Sequence, residues 1–224
     1  MSKTTLVIGD THVPFEHKGY LGFCKRIYKA FKCVRVVHIG DLVDNHAISY
    51  HEHDPDGWAP ADEMKEADNH LKAWFKAFPK VSLCLGNHDR LPDRKGKTVG
   101  LPRRCFRSFR ERWGLPKTWK TDFAFVYDNV CYQHYASGKY GYIQAALDNR
   151  MNTVTGHLHS SAGVGLVANE KDLIFGMGVG CGINRHTYTF NYGRQMRKKP
   201  IISCGIVSAT KYGVNAQVFP MELK

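Results

Sequence analysis

Long apolar runs are missing from this 224-residue chain, and nothing in it approaches the ~20 consecutive apolar residues that cross a bilayer. Met1-Ser2-Lys3-Thr4-Thr5 leads straight into a strand-like stretch, without the charged head and apolar core of a secretory leader, so no membrane association and a cytoplasmic protein are expected. Closely spaced cysteines are missing too. The seven present, Cys24, Cys33, Cys84, Cys105, Cys131, Cys181 and Cys204, are odd in number and scattered mostly among apolar neighbours. That spacing excludes a cysteine-bound zinc ribbon and points to reduced core thiols. No Gly-x-Ser-x-Gly elbow exists, which removes the usual serine hydrolase. Gly96-Lys97-Thr98 ends like a phosphate-binding P-loop, but Leu91 stands where that loop requires glycine, so a basic loop is expected there. Acidic residues are in short supply: 20 Asp and Glu face 32 Lys and Arg, for a net charge of +12. Such a balance favours an anionic partner, nucleic acid or a phosphorylated molecule, with plain solubility as the alternative. Repeats and low-complexity tracts are absent, and 43% hydrophobic residues with 12% aromatics exclude disorder. A single domain over residues 1–224 is expected.

Along the chain, apolar strands alternate with helical periodicity. Thr5 to Ile8 reads as a β-branched strand, followed by Leu21, Cys24, Ile27, Tyr28 and Phe31 at helical spacing and a second strand from Val34 to Ile39. This β-α-β order implies parallel strands with a right-handed crossover. Residues 46–60 are rich in His, Asp and Pro and read as a loop, whose part from Asp54 to Pro60 suits a substrate lid or a dimer contact. Asp62 is expected to cap a helix carrying the stripe Met64, Ala67, Leu71, Trp74, Phe75 and Phe78, stopped by Pro79. Val81 to Leu85 is a third strand. Between Arg90 and Lys120 eleven basic residues face two acidic ones, with a short helix expected around Phe106, Phe109 and Trp113. Asp128-Asn129 reads as a hairpin turn, Tyr142 to Leu147 as a helix after Ser137-Gly138, and Thr153 to Thr155 as a brief strand. The stretch from Ala162 to Phe219 looks like antiparallel strands with turns at Asn169-Glu170 and Lys211-Tyr212-Gly213.

Polar clusters recur where strands end: Asp10 with His12, Asp41 with Asp44, Asn87 with His88 and Asp89, His134, and His157 with His159. Ligands bind at the carboxyl ends of strands in α/β sheets, so these groups are expected to converge. Mixed oxygen and nitrogen donors suit Mn²⁺, Fe, Zn²⁺ or Ni²⁺ rather than Ca²⁺, and there are donors enough for two ions. Two ions about 3.5 to 4 Å apart clamp the attacking and leaving oxygens of an in-line displacement at phosphorus.

The set Gly9-Asp10-Thr11-His12, Gly40-Asp41-Leu42-Val43-Asp44, Gly86-Asn87-His88-Asp89 and Gly156-His157-Leu158-His159, in this order, resembles the signature of the calcineurin-like metallophosphoesterases, in particular their compact phage and bacterial members related to repair nucleases. The resemblance implies an α/β fold in which two mixed β-sheets pack as a sandwich flanked by helices, with the strand-rich tail supplying the second sheet. It implies Asp10, His12, Asp41 and His159 around one divalent transition-metal ion and Asp41, Asn87, His134 and His157 around another, with Mn²⁺ foremost. By the same resemblance a metal-bridging hydroxide is the nucleophile, His88 assists the leaving oxygen and Asp89 orients its ring. Two positions depart from the family: Tyr135 follows His134 where glycine is usual, and Asn45 stands where protein phosphatases carry a phosphate-gripping arginine. The latter argues against protein phosphatase activity.

A nuclease acting on DNA or RNA is therefore the expected function, with Asn45, His46, Arg90, Arg94 and Lys95 as candidate substrate contacts and the basic segment guiding a polyanion over the metals. A short loop wall suits single strands or flexible ends. His51 and His53 lie near the site in sequence. Alternatives are a small-molecule or nucleotide phosphatase and, from another class, an inactive metal-bearing binding protein. Cytoplasmic location becomes host cytoplasm if the chain is phage-encoded.

Overall fold

The computed structural model describes residues 3–50, 54–136, 141–187, 189 and 197–222. Its elements in chain order are β1 (Lys3–Ile8), α1 (Tyr20–Ala30), β2 (Arg35–His38), α2 (Pro60–Ala77), β3 (Ser82–Cys84), α3 (Leu91–Thr98), α4 (Phe109–Arg112), β4 (Lys120–Asp122), β5 (Ala124–Tyr127), β6 (Val130–Gln133), α5 (Tyr142–Asn149), β7 (Asn152–Thr155), β8 (Ala162–Ala168), β9 (Leu173–Val179), β10 (Ser203–Thr210) and β11 (Gly213–Pro220). They form two mixed sheets, ordered β11-β10-β1-β2-β3-β4 and β5-β6-β7-β9-β8. In the first sheet β1 to β4 run parallel, β10 lies antiparallel beside β1, and β11 pairs antiparallel with β10 at the edge. In the second, β6, β7 and β9 run parallel between antiparallel edges β5 and β8.

Alternate residues of each central strand serve two cores. Leu6 and Ile8 of β1 point to the helix layer, where they meet Tyr20, Phe23, Leu71 and Trp74. Val7, Val37 and Cys84 point the other way and meet Tyr132, Val154, Met177 and Val179 of the second sheet. A strand buried on both faces has no polar face to show, which is why these segments read as continuous apolar runs. On the outer side of the second sheet α5 lies directly on glycines. A Cβ at Gly176 would overlap the backbone of Tyr142, and one at Gly178 would crowd its ring.

Several sequence expectations are corrected. The tail is divided: β8 and β9 belong to the second sheet, but β10 and β11 return to the first. Asp62 does not cap α2; Ala59 holds the capping position in extended backbone, Pro60 begins the helix, and Asp62 lies in its first turn. Gly96-Lys97-Thr98 is not a loop but the last turn of α3, where the Phe106 ring packs so closely on Gly96 that a Cβ would overlap it. The helix around Phe109 is a single turn opened by a Ser108–Glu111 capping box. The hairpin at Asp128-Asn129 is present, both residues having positive φ (52° and 61°) as a type I′ turn demands. Residues 46–48 form a 3-10 turn, while His51, His53, Ser137 and Gly138 fall outside the described residues. All seven cysteines are unpaired and all but Cys105 are buried. Among the described residues no helix is long and apolar enough to cross a membrane.

Two glycine substitutions separate packing from propensity. Gly22 lies inside α1 with only the Arg26 guanidinium near its absent Cβ, so Gly22→Ala should raise stability by about 0.5–1 kcal/mol. Gly176→Ala should lower it by about 1–3 kcal/mol, because α5 must lift off the sheet. Urea unfolding midpoints of the two variants measure both shifts.

Candidate metal centre

Parallel pairing sets the carboxyl ends of the strands level. Ile8 pairs with His38 and His38 with Leu83 in one sheet, as Gln133 pairs with Thr155 in the other. The loops leaving these ends meet at the seam between the sheets. They bring together Asp10 and His12 after β1, Asp41 and Asp44 after β2, Asn87 to Asp89 after β3, His134 after β6, and His157 and His159 after β7.

The backbone bends sharply to deliver them. His12, Asp41, Asn45 and His157 adopt φ of 50°, 46°, 55° and 67°, the left-handed region that side chains other than glycine rarely enter. Such strain persists only where surroundings hold it, and it gathers at functional sites. Gly86 and Gly156 are required for a related reason: a Cβ at the first would overlap the carboxylate of Asp41, and at the second that of Asp10.

Three groups of ligand-type atoms lie within 4.8 Å of one another: Asp10, His12 and His159; His12, Asp44 and His88; and Asp41, His134 and His157. Asp10 Oδ2 lies 3.2 Å from His159 Nε2, which is 3.1 Å from His12 Nε2. His134 Nε2 faces Asp41 Oδ2 at 3.2 Å and Asn87 Oδ1 at 3.0 Å. Asp41 also lies 3.7 Å from His12, so it borders both groups.

These donors fit divalent ions. His134 Nδ1 donates to the carbonyl of Ile39 (3.1 Å), and His12 Nδ1 faces Asp44 Oδ1 (3.0 Å). The remaining Nε2 atoms are thus aimed at further ligand atoms, an arrangement that suits a cation between them. Asp10 Oδ1 is buried without a hydrogen-bond partner. Asp10, Asp41, Asp44 and Asp89 are at most 1% exposed, and no lysine or arginine bonds to any of them among the described residues.

The carboxylates and imidazoles tune one another. Burial pushes the Asp44 carboxyl upward, but hydrogen bonds from His12 and His88 outweigh it and hold the group well below the usual range. Burial opposes charge on His88, yet Asp41 and Asp44 raise its pKa to about 10, and His134, facing Asp41 and Asp10 against the same penalty, rises to about 9. Burial lowers His12, with the charge of His88 adding to the effect. Asp89 is pushed up to about 7 by burial and by the neighbouring Asp41.

The partner of His88 is Asp44, not Asp89. His88 Nδ1 lies 2.8 Å from Asp44 Oδ1 and 2.6 Å from the Asp44 carbonyl. Asp89 turns inward and accepts the backbone N–H groups of Gly86 (2.9 Å) and Val43 (3.2 Å), fastening the two loops together. Asn45 is also reassigned. It is buried and donates to the His88 carbonyl at 2.8 Å, so it is no open phosphate contact. His46 is buried as well, its backbone N–H held by Glu63 at 2.8 Å. Lys95 stacks its ammonium over Tyr50 at 4.0 Å.

Arg90 and Arg94, by contrast, line a cleft of about 840 Å³ that opens on Asn87 and His157. Lys97 and Thr98 of α3, together with Tyr50 and Tyr135, share that cleft and were not among the substrate contacts expected from the sequence. A helical reading of residues 91–98 would have found Lys97 and Thr98, since it puts them within a turn of Arg94.

A family model described as calcineurin-like phosphoesterase matches residues 3–173. Among solved structures, the chain is similar to Vacuolar Protein Sorting 29 from Cryptosporidium parvum, with 11% identity over 99% of this chain and 99% of that one and a TM-score of 0.48. It is similar to YfcE, a phosphoesterase from E. coli, with 16% identity over 92% and 91% and a TM-score of 0.43. It is also similar to the Pseudomonas putida nuclease MPE, with 14% identity over 97% and 87% and a TM-score of 0.31. No curated protein matches the chain.

Asp44 and Asp89 should separate by readout. Asp44→Asn removes the anion behind His12 and His88 and should weaken divalent-metal binding about 10- to 100-fold, measured by titration calorimetry. Asp89→Asn sets an amide N–H against a backbone N–H and should cost about 1–3 kcal/mol of stability, measured by urea unfolding.

Proposed function

The chain belongs to the calcineurin-like phosphoesterases, and from that premise we propose that it is a metal-dependent nuclease that hydrolyses phosphodiester bonds. One observation carries the choice of substrate: Arg90, Arg94 and Lys97 line the same cleft as Asn87 and His157, and among the described residues none of the three is ion-paired. Unpaired cations leading to a phosphoesterase site suit a substrate with phosphates beyond the one being cut.

In this reading Asp10, His12, Asp41 and His159 would hold one ion and Asp41, Asn87, His134 and His157 the other, with Mn²⁺ the foremost candidate for both. When bound, such ions neutralise charge on phosphoryl oxygens and make water acidic enough to attack at neutral pH. The protein's own groups then orient and protonate. Asp44 fixes the rings of His12 and His88 through their Nδ1 atoms. His88, kept cationic by Asp41 and Asp44, stabilises negative charge on the leaving oxygen and supplies its proton. A small phosphoester is the second reading, favoured by a cleft volume of about 840 Å³ that falls among small-ligand sites.

The test is hydrolysis, with Mn²⁺, of bis-p-nitrophenyl phosphate, p-nitrophenyl phosphate, and labelled single- and double-stranded DNA and RNA. Cleavage of the diester and of a polymer is expected, with kcat reduced about 10²- to 10⁴-fold in His88→Ala. Hydrolysis of the monoester alone defeats the nuclease reading. Strand binding should fall steeply with salt, and Arg94→Ala should reduce the slope of log affinity against log salt by about 1.

A further inference from the structure

Tyr135 occupies a position beside the metal centre that invites an explanation. Its ring lies edge-on to His134, with centroids 5.0 Å apart, and tilted against His157 at 5.4 Å. Two candidate metal ligands thus prop it in place, yet it remains 40% exposed and lines the cleft. A second ring, Tyr50, lines the same cleft and is 55% exposed. Lys95 Nζ stands over it at 4.0 Å, the Arg94 guanidinium lies 5.4 Å from its centre, and its hydroxyl is 3.3 Å from Thr98 Oγ1. Both rings are therefore held by neighbours and still partly exposed to the cleft.

We propose that Tyr50 and Tyr135 are stacking platforms for the bases flanking the scissile phosphate, with Arg94 and Lys97 taking the adjoining backbone phosphate, so that the cleft selects single-stranded nucleic acid. The proposal rests on the nuclease reading and deepens it. Exposed aromatic rings interleaved with unpaired cations are what a single strand requires of a surface, since its bases offer open faces and its phosphates a regular charge. A duplex offers neither ring a base face, because every face is already stacked. Propped rings lose little freedom on stacking, which leaves more of the contact energy as affinity. A cleft of about 840 Å³ is large enough for a nucleotide with its neighbouring phosphate.

The experiment compares two labelled single-stranded oligonucleotides of equal length and charge, one ordinary and one with abasic residues in its central half, by fluorescence anisotropy with the full chain and no added metal. Wild type should bind the ordinary strand about 5- to 50-fold more tightly. The ratio should fall towards one in Tyr50→Ala and Tyr135→Ala and persist in Tyr50→Phe and Tyr135→Phe, which keep the ring and guard against a merely misfolded variant. An equal duplex should bind more weakly than the ordinary strand. Equal binding of ordinary and abasic strands by wild type overturns the stacking sites while leaving strand cleavage, read separately, intact. Survival of the ratio in both alanine variants overturns them too. Absence of any strand binding or cleavage, with the small diester still hydrolysed, overturns the nuclease reading itself.

Discussion

Four aspartates buried at one seam set the terms for everything around them. Asp10, Asp41, Asp44 and Asp89 are almost wholly removed from solvent, and a buried carboxylate is tolerable only when donors or cations meet it. With no lysine or arginine bonded to them among the described residues, the loops supply backbone N–H groups and imidazoles instead. His157 N–H meets Asp10 at 2.8 Å, His88 N–H meets Asp41 at 2.8 Å, and Gly86 and Val43 meet Asp89. Left-handed backbone at His12, Asp41 and His157 is the conformational cost of pointing peptide groups and side chains inward together. Oxygen atoms that these donors do not reach, such as Asp10 Oδ1, are the ones a metal ion suits.

The sheets make that seam possible. Because the central strands pack into a core on each face, a shift of register would disrupt the close packing of both cores at once, so their ends stay level and the loops start from fixed points. Helix α2 adds a further restraint. Glu63 in its first turn accepts the N–H groups of His46 and Ala47 at 2.8 and 2.7 Å, which secures the chain two residues beyond Asp44. Burial drives this carboxyl up to about 7, a sign of how little solvent reaches the junction.

What could be read from the sequence follows from this physics. Strands such as Leu6 to Ile8 were legible because double burial writes an uninterrupted apolar run, and the ligand-rich strand ends were legible because parallel pairing aligns whatever follows each run. The hairpin at Asp128-Asn129 was legible because few residues accept positive φ twice in succession. Helix α3 was not, since Pro92 and Gly96 both disfavour helices in general. Its proline sits in the first turn, where no N–H is lost, and its glycine makes room for Phe106. Nor could adjacency reveal the partner of His88: Asp89 is next in the chain but faces inward, whereas Asp44 arrives from another strand. The return of β10 to pair with β1 is likewise a long-range choice that no local pattern records.

The basic helix and the centre are one construction. Residue Leu91 donates its N–H to the His88 carbonyl at 3.1 Å, and Asn45 donates to the same oxygen at 2.8 Å. The first turn of α3 is therefore tied both to the imidazole that faces Asp44 and to the loop that carries Asp44. Little chain separates His88 from Arg90 and Arg94, and these hydrogen bonds fix the backbone at the start of α3 relative to the ligand cluster. Other basic residues of the same segment are committed elsewhere: Arg112 pairs with Asp93 at 3.2 Å, and Arg110 donates to the carbonyls of Leu115, Pro116 and Trp119. Part of the excess charge visible in the sequence thus holds the fold, and another part lines the cleft beside the centre. Only the second set bears on what the cleft binds, and its placement along α3 follows from the turn that delivers His88.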